Sequence, residues 1–141
     1  DRRRRTAYRL RDGVAAIAGL SFAAFADRRL VGTLQSWPIA LTDSGRAIPL
    51  ILVGPVAVHP DVQNRGIGHA LMDALLTRTA EPASLPMMLI GDAPDYGRFG
   101  FVADAGRQWR LPGPFETHRL LVRESPDQPL PPTGALGPRR D

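Results

Sequence analysis

Residues 63–68 read Gln-Asn-Arg-Gly-Ile-Gly, between an apolar run, Pro49 to Val58, and a segment whose apolar residues recur at Ile67, Ala70, Leu71, Ala74 and Leu75. The first pattern is that of a strand buried on both faces; the second has the i, i+3, i+4, i+7, i+8 spacing of an amphipathic helix, expected to run to about Thr79. A tight turn between strand and helix presents the helix's first unpaired backbone N–H groups beyond the end of the strand, an arrangement suited to an anion. Gly66 and Gly68 remove the side chains that would hold a diphosphate away from the backbone. No acidic residue occurs from Asn64 to Met72, although the helix dipole favours acids in a first turn. Arg65 and His69 add side-chain contacts. The competing reading is that two glycines merely permit a turn and close packing; the order strand, turn, helix favours the anion site. No Gly-Lys-Ser/Thr follows, as a Walker loop requires, and the further glycine and distant acid of the dinucleotide fingerprint are missing.

Gln63-x-x-Gly66-x-Gly68 resembles the Q/R-x-x-G-x-G/A motif of the GNAT acetyltransferases, with Val56-Ala57-Val58-His59-Pro60 in the usual position ahead of it. A second segment, Gly91-Asp92-Ala93-Pro94-Asp95-Tyr96-Gly97-Arg98-Phe99-Gly100-Phe101, resembles the G-D-x-x-x-Y-x-R-F-G-F stretch of a bacterial branch of that superfamily. The resemblance covers roughly Phe22 to Val122 and is strongest from Val53 to Phe101. It implies acetyl-CoA as co-substrate and no metal. The diphosphate would rest on the motif opened by Gln63, against the backbone N–H groups of Asn64, Arg65, Gly66, Ile67, Gly68 and His69. The pantetheine arm would pair like an added strand with Val56, Ala57 and Val58.

Acetyl transfer to an amine needs the amine neutral, the thioester within attack distance and a proton for the departing thiolate. The resemblance places the general acid at Tyr96. The competing reading is an ordinary half-buried tyrosine covering the end of the sheet; since the other tyrosine, Tyr8, lies in the arginine-rich end, Tyr96 is the choice for the role. No base is assigned. Pro49 to Val58 contains no carboxylate, and the nearest titratable groups, His59 and Asp92, are expected to cap turns. A water relay and an amine already partly deprotonated both stay open. Phe99 and Phe101 are expected in the core, with stacking on adenine or substrate as the alternative, and Trp37 and Trp109 likewise, with an acceptor-pocket wall as the alternative.

The elements that must position these groups follow from pattern. Thr6 to Arg11 reads as the end of a helix stopped at Asp12-Gly13. Leu20 to Ala26 and Leu30 to Ile39 read as strands of a hairpin joined by Asp27-Arg28-Arg29, and Leu41 to Ala47 as a loop. Gly54-Pro55 interrupts the buried strand, and pairing with one neighbour is expected to fail there. That break would splay the strand from its neighbour and open a slot. Pro82 marks the end of the motif helix, Pro86 to Ile90 reads as a buried strand, and Pro94 to Phe99 as one or two helical turns ended by Gly100. Phe101 is expected to start a further strand and His118 to Val122 to form the last one.

Composition sets the outer bounds. The chain has 141 residues, 43% of them hydrophobic, enough for one core. No run approaches the roughly 20 apolar residues of a membrane span, so a cytoplasmic protein with no membrane partner is expected. With no cysteine, disulfides and thiolate metal sites are excluded. The net charge of +4 and pI near 10.9 invite a nucleic-acid reading. The charge is lopsided, however: residues 1–11 hold six arginines and one aspartate, leaving twelve arginines against thirteen acidic groups in the remainder. The body is nearly neutral, so nucleic acid is not an expected partner.

The expectation is therefore an α/β domain of the α+β type, with a mixed, mostly antiparallel central sheet, one splayed strand pair and flanking helices. The domain is expected over residues 1–124, with a proline-rich flexible tail at 125–141. The family's leading strand and helix are expected to be missing, either because they lie outside the numbered residues, which open on Asp1, or because the protein has lost them. The expected function is transfer of acetyl from acetyl-CoA to a primary amine of a small molecule or protein. The alternative is a catalytically weak CoA-binding regulatory module of the same fold. Homodimerisation is left open.

Overall fold

A computed structural model describes residues 2–79 and 84–140. Helix α1 (Arg2–Leu10) stops where Gly13 takes a positive φ of 74°, the left-handed conformation that glycine adopts without cost. A 3-10 turn at Ala18–Leu20 leads into β1 (Phe22–Ala26). β1 and β2 (Arg29–Asp43) form the expected hairpin, and its two turn residues, Asp27 and Arg28, both have positive φ. That is the requirement of a two-residue turn matched to strand twist.

The stretch Leu41 to Ala47, expected as a loop, is instead the end of a second hairpin. β2 continues to Asp43, β3 (Arg46–Val58) begins three residues later, and Ser44 and Gly45 alone make the turn, with φ of 51° and 79°. Leu41 is fully buried and pairs with Ile48, so its side chain belongs to the core and holds the strand straight.

Beyond Gln63 comes α2 (Ile67–Thr79), then β4 (Met87–Ile90), the short helix α3 (Ala93–Tyr96) and a 3-10 turn at Gly97–Phe99. Pro82, expected to end the motif helix, lies outside the described residues. Gly100, with φ of 88°, ends the turn. Phe101 does not open a strand: it is buried, and only Val102 forms a single bridge, to Val122. β5 (Gln108–Arg110) was not foreseen, and β6 (Leu120–Arg123) follows a 3-10 turn at Thr117–Arg119, so the strand begins later than expected.

Nor is β6 the last strand. Where a flexible tail was expected, β7 (Thr133–Pro138) pairs antiparallel with Ile39 to Thr42 of β2 and parallel with β5. The prolines explain both the expectation and the outcome. Pro126, Pro129, Pro131 and Pro132 precede the strand and Pro138 closes it, leaving residues 133–137 free to donate to the ladder. Arg139 then donates to the carbonyls of Ile39 and Leu50 at 3.1 and 3.4 Å.

The seven-stranded sheet has the order β5-β7-β2-β3-β4-β6, with β1 beside the first half of β2. Its β3–β4 and β5–β7 pairs are parallel and the others antiparallel. One face packs Leu34, Ile51, Val53, Met87 and Leu89 against Leu71, Met72 and Leu75 of α2. The other buries Leu10 of α1 with Ile39, Leu41, Leu50, Leu52, Met88, Trp109 and Leu136.

The ladder between β2 and β3 shifts register at one point. Ser36 opposes Val53 and Leu34 opposes Val56, so Gly54 and Pro55 together face Gln35 alone. β3 is hydrogen-bonded to β4 only around Ile51↔Met87 and Leu52↔Met88, just before this extra residue. Past it, β3 keeps β2 on one edge, and among the described residues no strand pairs with the other. The expected failure of pairing at Gly54-Pro55 is therefore found.

α2 is seated against β2 through Gly32. A Cβ there would lie 2.9 Å from Ile67 Cγ2, 3.2 Å from Leu71 Cδ1 and 3.3 Å from the Ala57 carbonyl oxygen. Such crowding of a packed interface costs about 1–3 kcal/mol. Gly32→Ala is predicted to lose stability in that range, measured by urea unfolding; an unchanged midpoint would show that α2 is not held there.

Candidate functional site

The open edge of β3 and the start of α2 meet through a turn whose geometry is set locally. The His59 Nδ1 accepts from the Asp61 N–H at 3.1 Å, the capping role expected of it, and the His59 N–H donates to the Val31 carbonyl at 2.8 Å. Gln63 Nε2 donates to the Val58 carbonyl at 3.4 Å, folding the side chain back on the strand. Asn64 and Gly66 have φ of 63° and 82°, reversing the chain twice around the exposed Arg65.

The first bond of α2 runs from the Ala70 N–H to the Gly66 carbonyl at 2.9 Å. The N–H groups of Ile67, Gly68 and His69 precede that bond, and Gly66 at the cap position has no side chain to accept from them. They point a positive helix end at the space in front. A Cβ on Gly66 would meet nothing within 4 Å, and one on Gly68 only Val58 Cγ2 at 3.8 Å. The space is thus open at backbone level.

It is an open cleft of about 650 Å³ lined by Val56, Val58, Gln63, Asn64, Gly66, Ile67, Gly68 and His69. Eight of the ten residues singled out for donor binding are brought together here; Ala57 and Arg65 are not among the lining residues. Strand alternation turns Ala57 to the opposite face from Val56 and Val58. Among the described residues no carboxylate lines the cleft.

One residue quoted in the second motif, but given no role there, stands beside the cleft. Arg98 Nη1 lies 3.1 Å from His69 Nδ1, with the guanidinium 5.3 Å from the centre of the Phe99 ring. A guanidinium only donates, so in this contact His69 Nδ1 is the acceptor. His69 also meets the Phe99 ring edge-on at 5.6 Å. Position alone could not have revealed Arg98, because 29 residues separate it from His69.

Tyr96 closes the short helix α3 that follows β4, and it is not among the residues lining the cleft. It packs on the backbone of Gly91, where a Cβ would lie 2.8 Å from Tyr96 Cε2, so only glycine fits. Burial, followed by the nearby carboxylates of Asp95 and Asp92, raises the phenol above its ordinary pKa, against a smaller opposing effect of Arg119. Asp92 occupies the cap position of α3 but makes no capping hydrogen bond; its carboxylate faces Arg119 Nε at 3.5 Å. The capping role expected for Asp92 is therefore not found.

Phe99 and Phe101 are buried, as expected. Trp109 is buried too, its indole N–H donating to the Pro131 carbonyl at 3.0 Å. Trp37 is only partly buried, and its indole N–H donates to the Gly54 carbonyl at 2.7 Å, at the point where β3 departs from β4. Among the described residues no group of three or more His, Asp or Glu side chains could hold a metal ion. Among them, too, no helix is long and apolar enough to cross a membrane.

The family model described as "Acetyltransferase (GNAT) domain" matches residues 4–103. Among solved structures, Eis1 from Mycobacterium abscessus is similar at 28% identity and a TM-score of 0.54, over 70% of this chain and 27% of that one. A GNAT family acetyltransferase from Brucella melitensis, solved with acetyl-CoA, is similar at 24% identity and a TM-score of 0.58, over 84% of this chain and 65% of that one. The GNAT family N-acetyltransferase YhbS from Escherichia coli, solved with CoA, has 20% identity and a TM-score of 0.61 over 84% of this chain and 66% of that one. The latter two show likeness of fold. The chain spans between 27% and 66% of the length of these three proteins. No curated protein matches the sequence significantly.

The raised Tyr96 pKa gives a prediction with a definite sign. The folded protein holds this proton more tightly than the unfolded chain, so the associated stability is present below the ordinary phenol range and lost as pH rises through the folded value. Urea unfolding followed into alkaline pH should show this loss in the wild type and a shallower one in Tyr96→Phe. Equal slopes would contradict the assignment.

Proposed function

The chain belongs to the GNAT acetyltransferase family, and on that premise we propose that it moves acetyl from acetyl-CoA to a primary amine of a small molecule or protein. The observation that carries this reading is the cleft at the start of α2, where, among the described residues, three backbone N–H groups have no partner and no carboxylate lines the walls. A diphosphate suits that lining. The N–H groups of Ile67, Gly68 and His69 would donate to it, while Asn64, Gly66 and Gln63 shape the floor and Arg65 stands at the exposed rim. The free edge of β3, at Val56, Ala57 and Val58, offers backbone groups to an extended pantetheine arm in the manner of an added strand.

Acetyl-CoA supplies the activated acetyl group as a thioester. In the proposed step the neutral amine nitrogen bonds to the acetyl carbon, the carbon–sulfur bond breaks, and the departing sulfur takes the Tyr96 phenol proton. The surplus proton of the amine passes to solvent, and Tyr96 is reprotonated from solvent. A phenol raised above its ordinary pKa is fully protonated at neutral pH and so available to donate. No base is assigned, because β3 presents no carboxylate and His59 is engaged in its cap.

A second reading, a CoA-binding regulatory module without turnover, draws support from the position of Tyr96 outside the lining of the cleft. Two measurements separate the readings. Calorimetry with acetyl-CoA should give saturable heat, and Gly68→Val, which fills the cradle while meeting only Val58, should weaken binding at least about tenfold. Thiol release across a panel of amines should be lost in Tyr96→Phe by about 10²–10⁴-fold in kcat, the usual contribution of a positioned proton donor. Heat without any thiol release favours the module, and no heat at millimolar acetyl-CoA excludes both.

A further inference from the structure

On the sheet face opposite α2, Tyr8 of α1, Arg11 in the turn just beyond it and Trp37 of β2 form a shelf beside the break in β3. The Arg11 guanidinium carbon lies 4.1 Å from the centre of the Tyr8 ring and 4.6 Å from the Trp37 ring. The Trp37 indole N–H in turn donates to the Gly54 carbonyl. Tyr8 is 56% exposed, and Arg11 and Trp37 are partly exposed. The shelf is therefore an open surface, one indole's breadth from the opening between β3 and β4.

The state of Arg11 gives this surface a chemistry. Stacking on rings uses the flat faces of a guanidinium and leaves its in-plane N–H donors available. Among the described residues no carboxylate pairs with Arg11 and its side chain makes no hydrogen bond. Other arginines on this face are already committed: Arg9 to the Pro112 carbonyl, Arg139 to Ile39 and Leu50, Arg140 to the Asp12 carbonyl. A preoriented guanidinium with free in-plane donors is a receptor for a carboxylate, which it can hold by two parallel hydrogen bonds. The arginine-rich surroundings disfavour a polycation.

We propose that the Tyr8–Arg11–Trp37 shelf receives the acceptor, and that the acceptor is a small amine that also carries a carboxylate. This rests on the acetyltransferase reading above. The face toward α2 is filled by the donor cleft and its core, so an acceptor reaches the opening from the Trp37 side. Its carboxylate pairs with Arg11 while its amine, several bonds away across the breadth of the indole, enters between β3 and β4.

The test compares ω-amino acids of graded length with alkylamines of the same length, at saturating acetyl-CoA, by thiol release. Binding of the same compounds to the acetyl-CoA-loaded protein is followed by calorimetry, so that a slow reaction does not hide recognition. The wild type should prefer one length of ω-amino acid over its alkylamine by at least about tenfold in KM or Kd, the effect of a charge-assisted pair. Arg11→Gln should abolish that preference without changing acetyl-CoA affinity, Arg11→Lys should restore part of it, and Arg28→Gln, an equal loss of charge at the β1–β2 turn, should leave it intact. Equal handling of the two series by the wild type, or an unchanged preference in Arg11→Gln, overturns the proposal while leaving the donor reading standing. Failure of acetyl-CoA to bind overturns both.

Discussion

One extra residue in β3 governs the architecture around the cleft. Up to Val53 the strand is flanked by β2 and β4 and buried on both faces, with Leu50, Ile51, Leu52 and Val53 divided between the two cores. At Gly54-Pro55 the ladder with β2 absorbs one more residue than its partner supplies, and the strand turns out of line with β4. Proline brings no N–H to the position, and the Trp37 indole takes up the Gly54 carbonyl, so the irregularity leaves that polar group satisfied. Beyond it, one backbone edge of β3 faces open space. Buried or half-buried peptide groups demand partners, and an edge without a neighbouring strand is a place for an extended ligand to supply them.

The second requirement is that α2 begin opposite that open edge. Gly32 lets the helix approach β2 at Ile67 and Leu71, while the reversals at Asn64 and Gly66 bring Gly68 near enough to Val58 that an added Cβ would lie 3.8 Å from its Cγ2. Stability and binding geometry are coupled here, because the hydrophobic contacts that seat the helix also aim its unpaired N–H groups at the cleft. Gly91 does the same for Tyr96: the absent side chain lets the ring lie on the backbone at the end of β4. Close approaches permitted by glycine thus seat both the motif helix and the tyrosine.

Much of this arrangement was legible in sequence, for reasons specific to each element. The turn at residues 63–68 carried its own chemistry in two glycines and an acid-free first turn, and eight of the ten expected donor-side residues line one cleft. Gly54-Pro55 announced the failed pairing because both residue types act on the backbone itself. Side-chain alternation at Ala57 and the outward direction of Arg65 required the strand and turn in place. The pairing of Arg98 with His69, and of Asp92 with Arg119, joins residues distant in the chain and left no local signal. The loop expected at Leu41 to Ala47 failed because Thr42, Asp43, Ser44 and Gly45 look turn-like as a group, whereas two of them suffice for the reversal. β7 was hidden by the prolines around it; its strand is held by pairing with β2 and β5, which a reading of local composition does not register.

The open edge of β3 and the first turn of α2 are proposed to form one site for acetyl-CoA. Hydrogen exchange resolved to individual amides, with and without acetyl-CoA, reads out that site. Added acetyl-CoA should slow exchange at Val56 to Val58 and at Ile67 to His69 together, while the β1–β2 turn at Asp27-Arg28 is unaffected. Unchanged exchange at both segments, or slowing confined to another surface of the protein, would contradict it.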